Sequence, residues 1–168
     1  MTMARGSQTG IPAFASLLLA ALAGCAGLVS CASPPPKVEP PRVVAALQAA
    51  ADVNPDPGGR PSPIALTLYE LKSAGRFNNA DFFSVFERPD ATLTTDLVRK
   101  EEVRLAPGEA KVVNLEFREG SRYLGVVAGY RRYEVARWRA LVETPPDAVT
   151  RVTVRADALA VSITTSER

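Results

Sequence analysis

From Val43 to Ile163, apolar residues return at every second position in short bursts separated by turn residues. That spacing puts one face of each burst in a core and the other in water, the pattern of a half-buried strand rather than a helix. Ile64, Leu66 and Leu68 form one burst, and Val113, Leu115 and Phe117 another, with Asn114 and Glu116 turned outward. Trp138, Ala140 and Val142 form a third; Leu159, Val161 and Ile163 alternate with Ala160, Ser162 and Thr164 in the last. Val103 with Leu105, and Val152 with Val154, mark two more. Tyr123–Tyr130 is nearly all apolar, as a central strand covered on both faces should be. Arg42–Ala51 is Ala-rich and could be helical by propensity. Its Val43-Val44 pair and the loop after it suit a sheet, so we read it as the first strand. About eight short strands without βαβ alternation predict an all-β sandwich over residues 42–168.

Two segments interrupt the strands. In Phe77–Phe86, Phe82, Val85 and Phe86 share a helix face and Asn78-Asn79 stand ready as an N-cap, which predicts a short helix laid on the sandwich. The second interruption is Asp52-Val53-Asn54-Pro55-Asp56-Pro57-Gly58-Gly59-Arg60-Pro61-Ser62-Pro63. Its four prolines, two glycines and two aspartates make a connection too long and stiff for a hairpin turn, which usually takes ~2–5 residues. A stiff loop loses little entropy on docking, so this one suits a partner. Gly58-Gly59 would supply positive φ and let Arg60 project its five-donor fork. Asn54-Pro55-Asp56 is first of all turn chemistry.

The N-terminus reads as an export signal. A single basic residue, Arg5, precedes the apolar run Ile11–Ala21 and then Leu22-Ala23-Gly24-Cys25. The apolar run is too short to span a bilayer, which takes ~20 residues. Leu-Ala-Gly-Cys resembles the bacterial lipobox, whose cysteine is acylated and becomes the first mature residue. Leu28-Val29-Ser30-Cys31 fits the same pattern, but choosing it would lengthen the apolar region past the usual ~7–15 residues, so Cys25 is the expected lipid anchor and Cys31 the alternative. Alanine follows either cysteine; the aspartate that favours inner-membrane retention in enterobacteria is missing, which points to the outer membrane. The expected organisation is signal peptide 1–24, lipidated Pro-rich tether 25–41 and sandwich 42–168. The tether carries Pro34-Pro35-Pro36 and Pro40-Pro41. At ~3.1 Å per residue it could reach roughly 50 Å from Cys25 to Arg42.

Composition narrows the chemistry. The chain has no histidine, and its two cysteines both lie near the anchor, so the sandwich holds no internal disulfide. Removing Arg5 from the 20 basic residues leaves 19 against 18 acidic ones, a balance that argues against nucleic acid. Glu101-Glu102 and Asp96 belong to a charged strand face rather than a carboxylate pair. No catalytic residue, metal site or cofactor is expected. Trp138 reads as core between two solvated arginines, Arg137 and Arg139, and Gly125 as a place where a neighbouring side chain packs close. Phe82 should point inward and Phe83 outward. Arg131-Arg132 with Arg137 and Arg139 suggest a basic patch.

Val53-Asn54-Pro55-Asp56, Gly59-Arg60-Pro61-Ser62-Pro63 and Leu68-Tyr69-Glu70-Leu71 resemble the TssJ family, the outer-membrane lipoproteins of the type VI secretion system. The likeness continues in order through Phe77-Asn78-Asn79-Ala80-Asp81-Phe82-Phe83, Leu105-Ala106-Pro107-Gly108-Glu109, Tyr123–Ala128, Tyr130-Arg131 and Trp138-Arg139. The resemblance implies a transthyretin-like β-sandwich with added helical elements. It also implies a place on the periplasmic leaflet of the outer membrane and binding to the periplasmic part of TssM, an inner-membrane protein that associates with TssL. In that family the loop between the first two strands is the chief TssM contact, which here is Asp52–Pro63. The other function class open to such a fold is a periplasmic ligand-binding or carrier lipoprotein using a sandwich cavity.

Overall fold

The computed structural model describes residues 42–145 and 149–166. The signal segment, Cys25, Cys31 and the Pro-rich tether lie outside the described residues. Eight strands form two four-stranded sheets. One has the order β4-β1-β7-β8, from β1 (Arg42–Ala49), β4 (Ala110–Glu116), β7 (Val149–Ala156) and β8 (Val161–Thr165). The other has the order β3-β2-β5-β6, from β2 (Ile64–Leu71), β3 (Leu97–Leu105), β5 (Tyr123–Ala128) and β6 (Arg139–Glu143). All pairings are antiparallel except β1 with β7.

The alternation expected of β1 is present despite its alanines: Val43, Ala45, Leu47 and Ala49 are buried, and their neighbours are not. They meet Leu66, Leu68, Leu124 and Val126 of the facing sheet in a core that Val152, Val154 and Val161 complete. Small alanines at two of these four positions let the sheets approach there, which outweighs their helix propensity.

β2 and β5 are buried on both faces. Their outer faces carry Tyr69, Leu71 and Val127, covered by Phe77, Phe82, Val85 and Leu93 from the β2–β3 connection. That connection holds three short helices, α1 (Gly75–Asn79), α2 (Phe82–Glu87) and α3 (Pro89–Leu93), rather than the single helix expected. Asn78-Asn79 end α1 instead of capping, and Ala80 is extended at φ −73 and ψ 148. The N-cap is Asp81, whose carboxylate accepts from the Ser84 N–H at 3.0 Å and the Ser84 hydroxyl at 2.6 Å. A carboxylate that satisfies two donors outcompetes an upstream amide for this position. Phe82 and Val85 face inward as expected. The Tyr69 hydroxyl donates to the Val85 carbonyl at 2.9 Å, and burial pushes its pKa up to about 12.

Gly125 opposes this helical layer. A Cβ there would lie 2.9 Å from a ring carbon of Phe77, so the close approach read from the sequence is that of the Phe77 ring. Trp138 is only partly buried and packs against both cores. Arg139 is not solvated as expected. Its guanidinium lies 4.8 Å from the Trp138 ring centroid, and its Nη1 donates to the Phe77 carbonyl at 3.1 Å and the Ala80 carbonyl at 2.8 Å. The end of α1 leaves carbonyls without helical partners, and a guanidinium stacked on an aromatic can satisfy two of them.

Strand direction separates two ends of the sandwich. Connections 50–63, 106–109, 129–138 and 157–160 gather at one end. Gly108 N–H donates to the Ala50 carbonyl at 3.2 Å, and Asn54 N–H to Ala158 at 3.1 Å. Arg42 starts β1 at the other end. Eight residues of strand place the two about 25 Å apart.

Candidate partner-binding site

The Asp52–Pro63 loop divides into a buried base and an exposed crest. Val53 is fully buried, and its carbonyl accepts from the Ser62 N–H at 3.1 Å, which closes the loop at its neck. Asn54 is 4% exposed and sits at φ +50, a conformation that asparagine tolerates better than most residues. Its Nδ2 donates to the Pro63 carbonyl at 2.9 Å, and its Oδ1 accepts from the Arg131 N–H at 2.9 Å. Asn54 therefore ties both strands of the neck to the β5–β6 connection. It is a structural residue, in keeping with its turn chemistry.

Asp56 organises the crest. Its Oδ1 accepts from the Gly58 N–H at 2.9 Å and the Arg60 N–H at 3.0 Å, and its backbone N–H donates to the Arg60 carbonyl at 2.9 Å. The Arg60 N–H, with smaller contributions from the Gly58 N–H and the Arg60 and Arg131 charges, holds the Asp56 carboxyl below the usual carboxylate range. Of the two glycines only Gly59 has positive φ, at +82; Gly58 does not, and its N–H is held by the Asp56 carboxylate. Pro57, Gly58, Gly59, Arg60 and Pro61 are exposed. The Arg60 side chain is 84% exposed, with its Nε 3.3 Å from Asp56. The crest is thus a hydrogen-bonded knuckle that presents one guanidinium. Asp52 and Pro63 are exposed at its flanks, Pro55 is half-buried and Ser62 is buried.

The β5–β6 connection lies beside it. Phe82 stacks between Phe86 and Tyr133, at centroid distances of 5.0 and 4.8 Å, and meets Trp138 edge-on at 5.3 Å. Phe83 faces outward at 43% exposure against the edge of Tyr133. The expected four-arginine patch does not assemble as one surface, because Arg139 is turned inward onto α1. Sequence reasoning did not place Arg131 at the loop, since only the fold brings it to Asn54, 77 residues away. The space beside Leu68, Leu115 and Phe117 is about 10 Å³, no more than one water fills, so the hollow that the carrier reading requires is not found at that place.

Known proteins resemble this chain over the sandwich. Residues 41–159 match the family described as type VI secretion lipoprotein, VasD, EvfM, TssJ. The crystal structure of the lipoprotein TssJ1 from Pseudomonas aeruginosa aligns with 35% identity and a TM-score of 0.75, covering 77% of this chain and 99% of that one. Lip of Serratia marcescens, a membrane-bound component of the type VI secretion system, aligns with 25% identity and a TM-score of 0.68 over 77% of this chain and 99% of that one. A chain of a type VI membrane complex shares the fold at 20% identity, with a TM-score of 0.62 over 77% of this chain and all 100% of that one. No curated protein matches. The protein belongs to the TssJ family of type VI secretion lipoproteins, structural parts of the secretion apparatus and not enzymes.

Proposed function

We propose that this lipoprotein sits on the periplasmic face of the outer membrane, acylated at Cys25 with Cys31 as the alternative, and that its Asp52–Pro63 loop binds the periplasmic domain of TssM. Through TssM, and TssL behind it, the protein would join the two membranes in a trans-envelope complex. Residues 1–24 would then be the cleaved signal and 25–41 the tether. The observation that carries this reading is the knuckle itself: a crest braced by Asp56 on a buried neck, at the end of the sandwich opposite Arg42. A prebuilt crest loses little freedom on docking. Each buried acyl methylene contributes ~0.8 kcal/mol, so a multiply acylated cysteine stays in the bilayer. Confinement to the membrane raises the effective concentration of loop and partner, so moderate affinity suffices.

The test replaces Pro57–Pro61 with a Gly/Ser segment of equal length and leaves Val53, Asn54 and Ser62 in place. The variant should fold and lose co-purification with TssM. Unchanged capture would refute the loop assignment. Separately, Cys25→Ser should release the chain from membranes; retention, with release by Cys31→Ser, would move the anchor.

A further inference from the structure

A groove of about 310 Å³ opens beside the neck of the loop. Asn54 and Pro63 form its loop wall, Ala65 and Gly129 line its floor, and Arg104 and Arg131 complete it, with no acidic residue in the lining. The floor is rigid: Gly129 N–H donates to the Ala65 carbonyl at 2.8 Å, and a Cβ on Gly129 would lie 3.0 Å from the Phe86 ring. Both arginines leave fixed backbone. Arg104 pairs with Ala65 across β2 and β3, and the Arg131 N–H is held by Asn54.

The charges of these arginines are only partly answered within the protein: the Arg131 charge helps lower the Asp56 carboxyl, but the Asp56 oxygens are taken up by the Gly58 and Arg60 amides and the Arg60 guanidinium. Arg104 has one contact, Nε to Glu102 at 3.2 Å, and its side chain is 81% exposed, so this pair contributes little. The Arg131 side chain makes no ion pair or hydrogen bond among the described residues. Two guanidiniums bordering one concave, partly apolar groove attract an anion of matching planar shape, and a carboxylate accepts from such forks in pairs. The groove is open to solvent and, at about 310 Å³, roomy enough to admit an acidic side chain. Farther along the same face, the neighbouring groove mixes Lys100 with Glu87 and Glu102, so the positive field is local to the loop end.

We infer that this groove receives an aspartate or glutamate from an extended segment of the same partner the crest binds, its carboxylate seated between Arg104 and Arg131. The inference rests on the reading of the crest as the TssM contact. Asn54 makes the two surfaces continuous, since one side chain fixes the loop neck and the Arg131 backbone. A protein carboxylate fits better than a lipid headgroup, because Ile64, Ala65 and Gly129 give the groove an apolar floor that suits an extended backbone beside the charged end.

The experiment measures binding of the full acylated chain, in detergent, to the periplasmic domain of TssM at low and high salt. Arg104→Gln with Arg131→Gln should weaken binding about tenfold per arginine and flatten its salt dependence. Arg104→Lys with Arg131→Lys should keep the salt dependence and lose part of the affinity, because the fork geometry is gone. If crest replacement abolishes binding while the glutamine pair behaves as wild type, the groove inference fails and the crest reading stands. If crest replacement has no effect, the crest reading itself fails. Binding of an unacylated Cys25→Ser, Cys31→Ser chain to phosphatidylglycerol vesicles through both arginines, with TssM affinity indifferent to them, overturns the inference in favour of lipid.

Discussion

Asn54→Ala should destabilise the fold by about 3–4 kcal/mol, although it alters one side chain in a surface loop. The figure has two sources. Removing the carboxamide loses its bonds to the Pro63 carbonyl and the Arg131 N–H, at 2.9 Å each, and each part-buried hydrogen bond lost costs about 1–1.5 kcal/mol. Alanine must also hold φ near +50, where a Cβ adds about 1 kcal/mol or more. Asn54→Gly removes the same bonds without the conformational strain, so it should lose only about 2–3 kcal/mol. Urea unfolding followed by the fluorescence of Trp138, the single tryptophan, reads both. Alanine within about 0.5 kcal/mol of wild type would refute the account of the neck, since that is the range of an inert surface change. Equal losses for alanine and glycine would refute the strain contribution alone.

Three further expectations follow from the same geometry. Gly125→Ala brings a Cβ to 2.9 Å from Phe77 and 3.1 Å from Leu71, and should lower the urea midpoint by the equivalent of about 1–3 kcal/mol; adding Phe77→Leu should restore part of it. Arg139→Lys should fail to replace arginine, because one ammonium cannot reproduce both the stacking on Trp138 and the two carbonyl bonds; faster hydrogen exchange at the Ala80 amide would report the loosened α1. The crest should be pH-dependent. The Asp56 carboxyl is lowered in the fold, so its contribution is present above its unfolded-state pKa and lost as pH falls through its folded value. The Gly58 and Arg60 amide resonances should therefore shift only below the ordinary carboxylate range, and a transition near neutrality would contradict the assignment.

Much of the architecture was legible because burial in a sheet imposes a period of two. The alternating residues of β1, β7 and β8 lie where that period puts them, and the unbroken apolar run of Tyr123–Ala128 is covered on both faces. The outward Phe83 and the close approach at Gly125 were also readable. The helical connection was legible only in part: the shared face of Phe82 and Val85 held, while the cap moved from Asn78-Asn79 to Asp81. Capping depends on which nearby donor a side chain reaches, and several residues in a row can compete for it. Arg139 was misread because alternation says which face a residue occupies but not what covers that face.

Local pattern alone is enough to show that the chain builds strands, that a stiff Pro/Gly connection separates the first two, and that no histidine or disulfide chemistry takes part in the sandwich. Those properties belong to single residues or to neighbours within a few positions, where sterics and periodicity act directly. The folded chain was needed to show that β1 pairs in parallel with β7, that Asn54 binds the Arg131 backbone, and that Arg104 and Arg131 share a groove. Such contacts join residues far apart in the chain. They depend on strand order and register, which the packing of the whole core selects and no local pattern encodes.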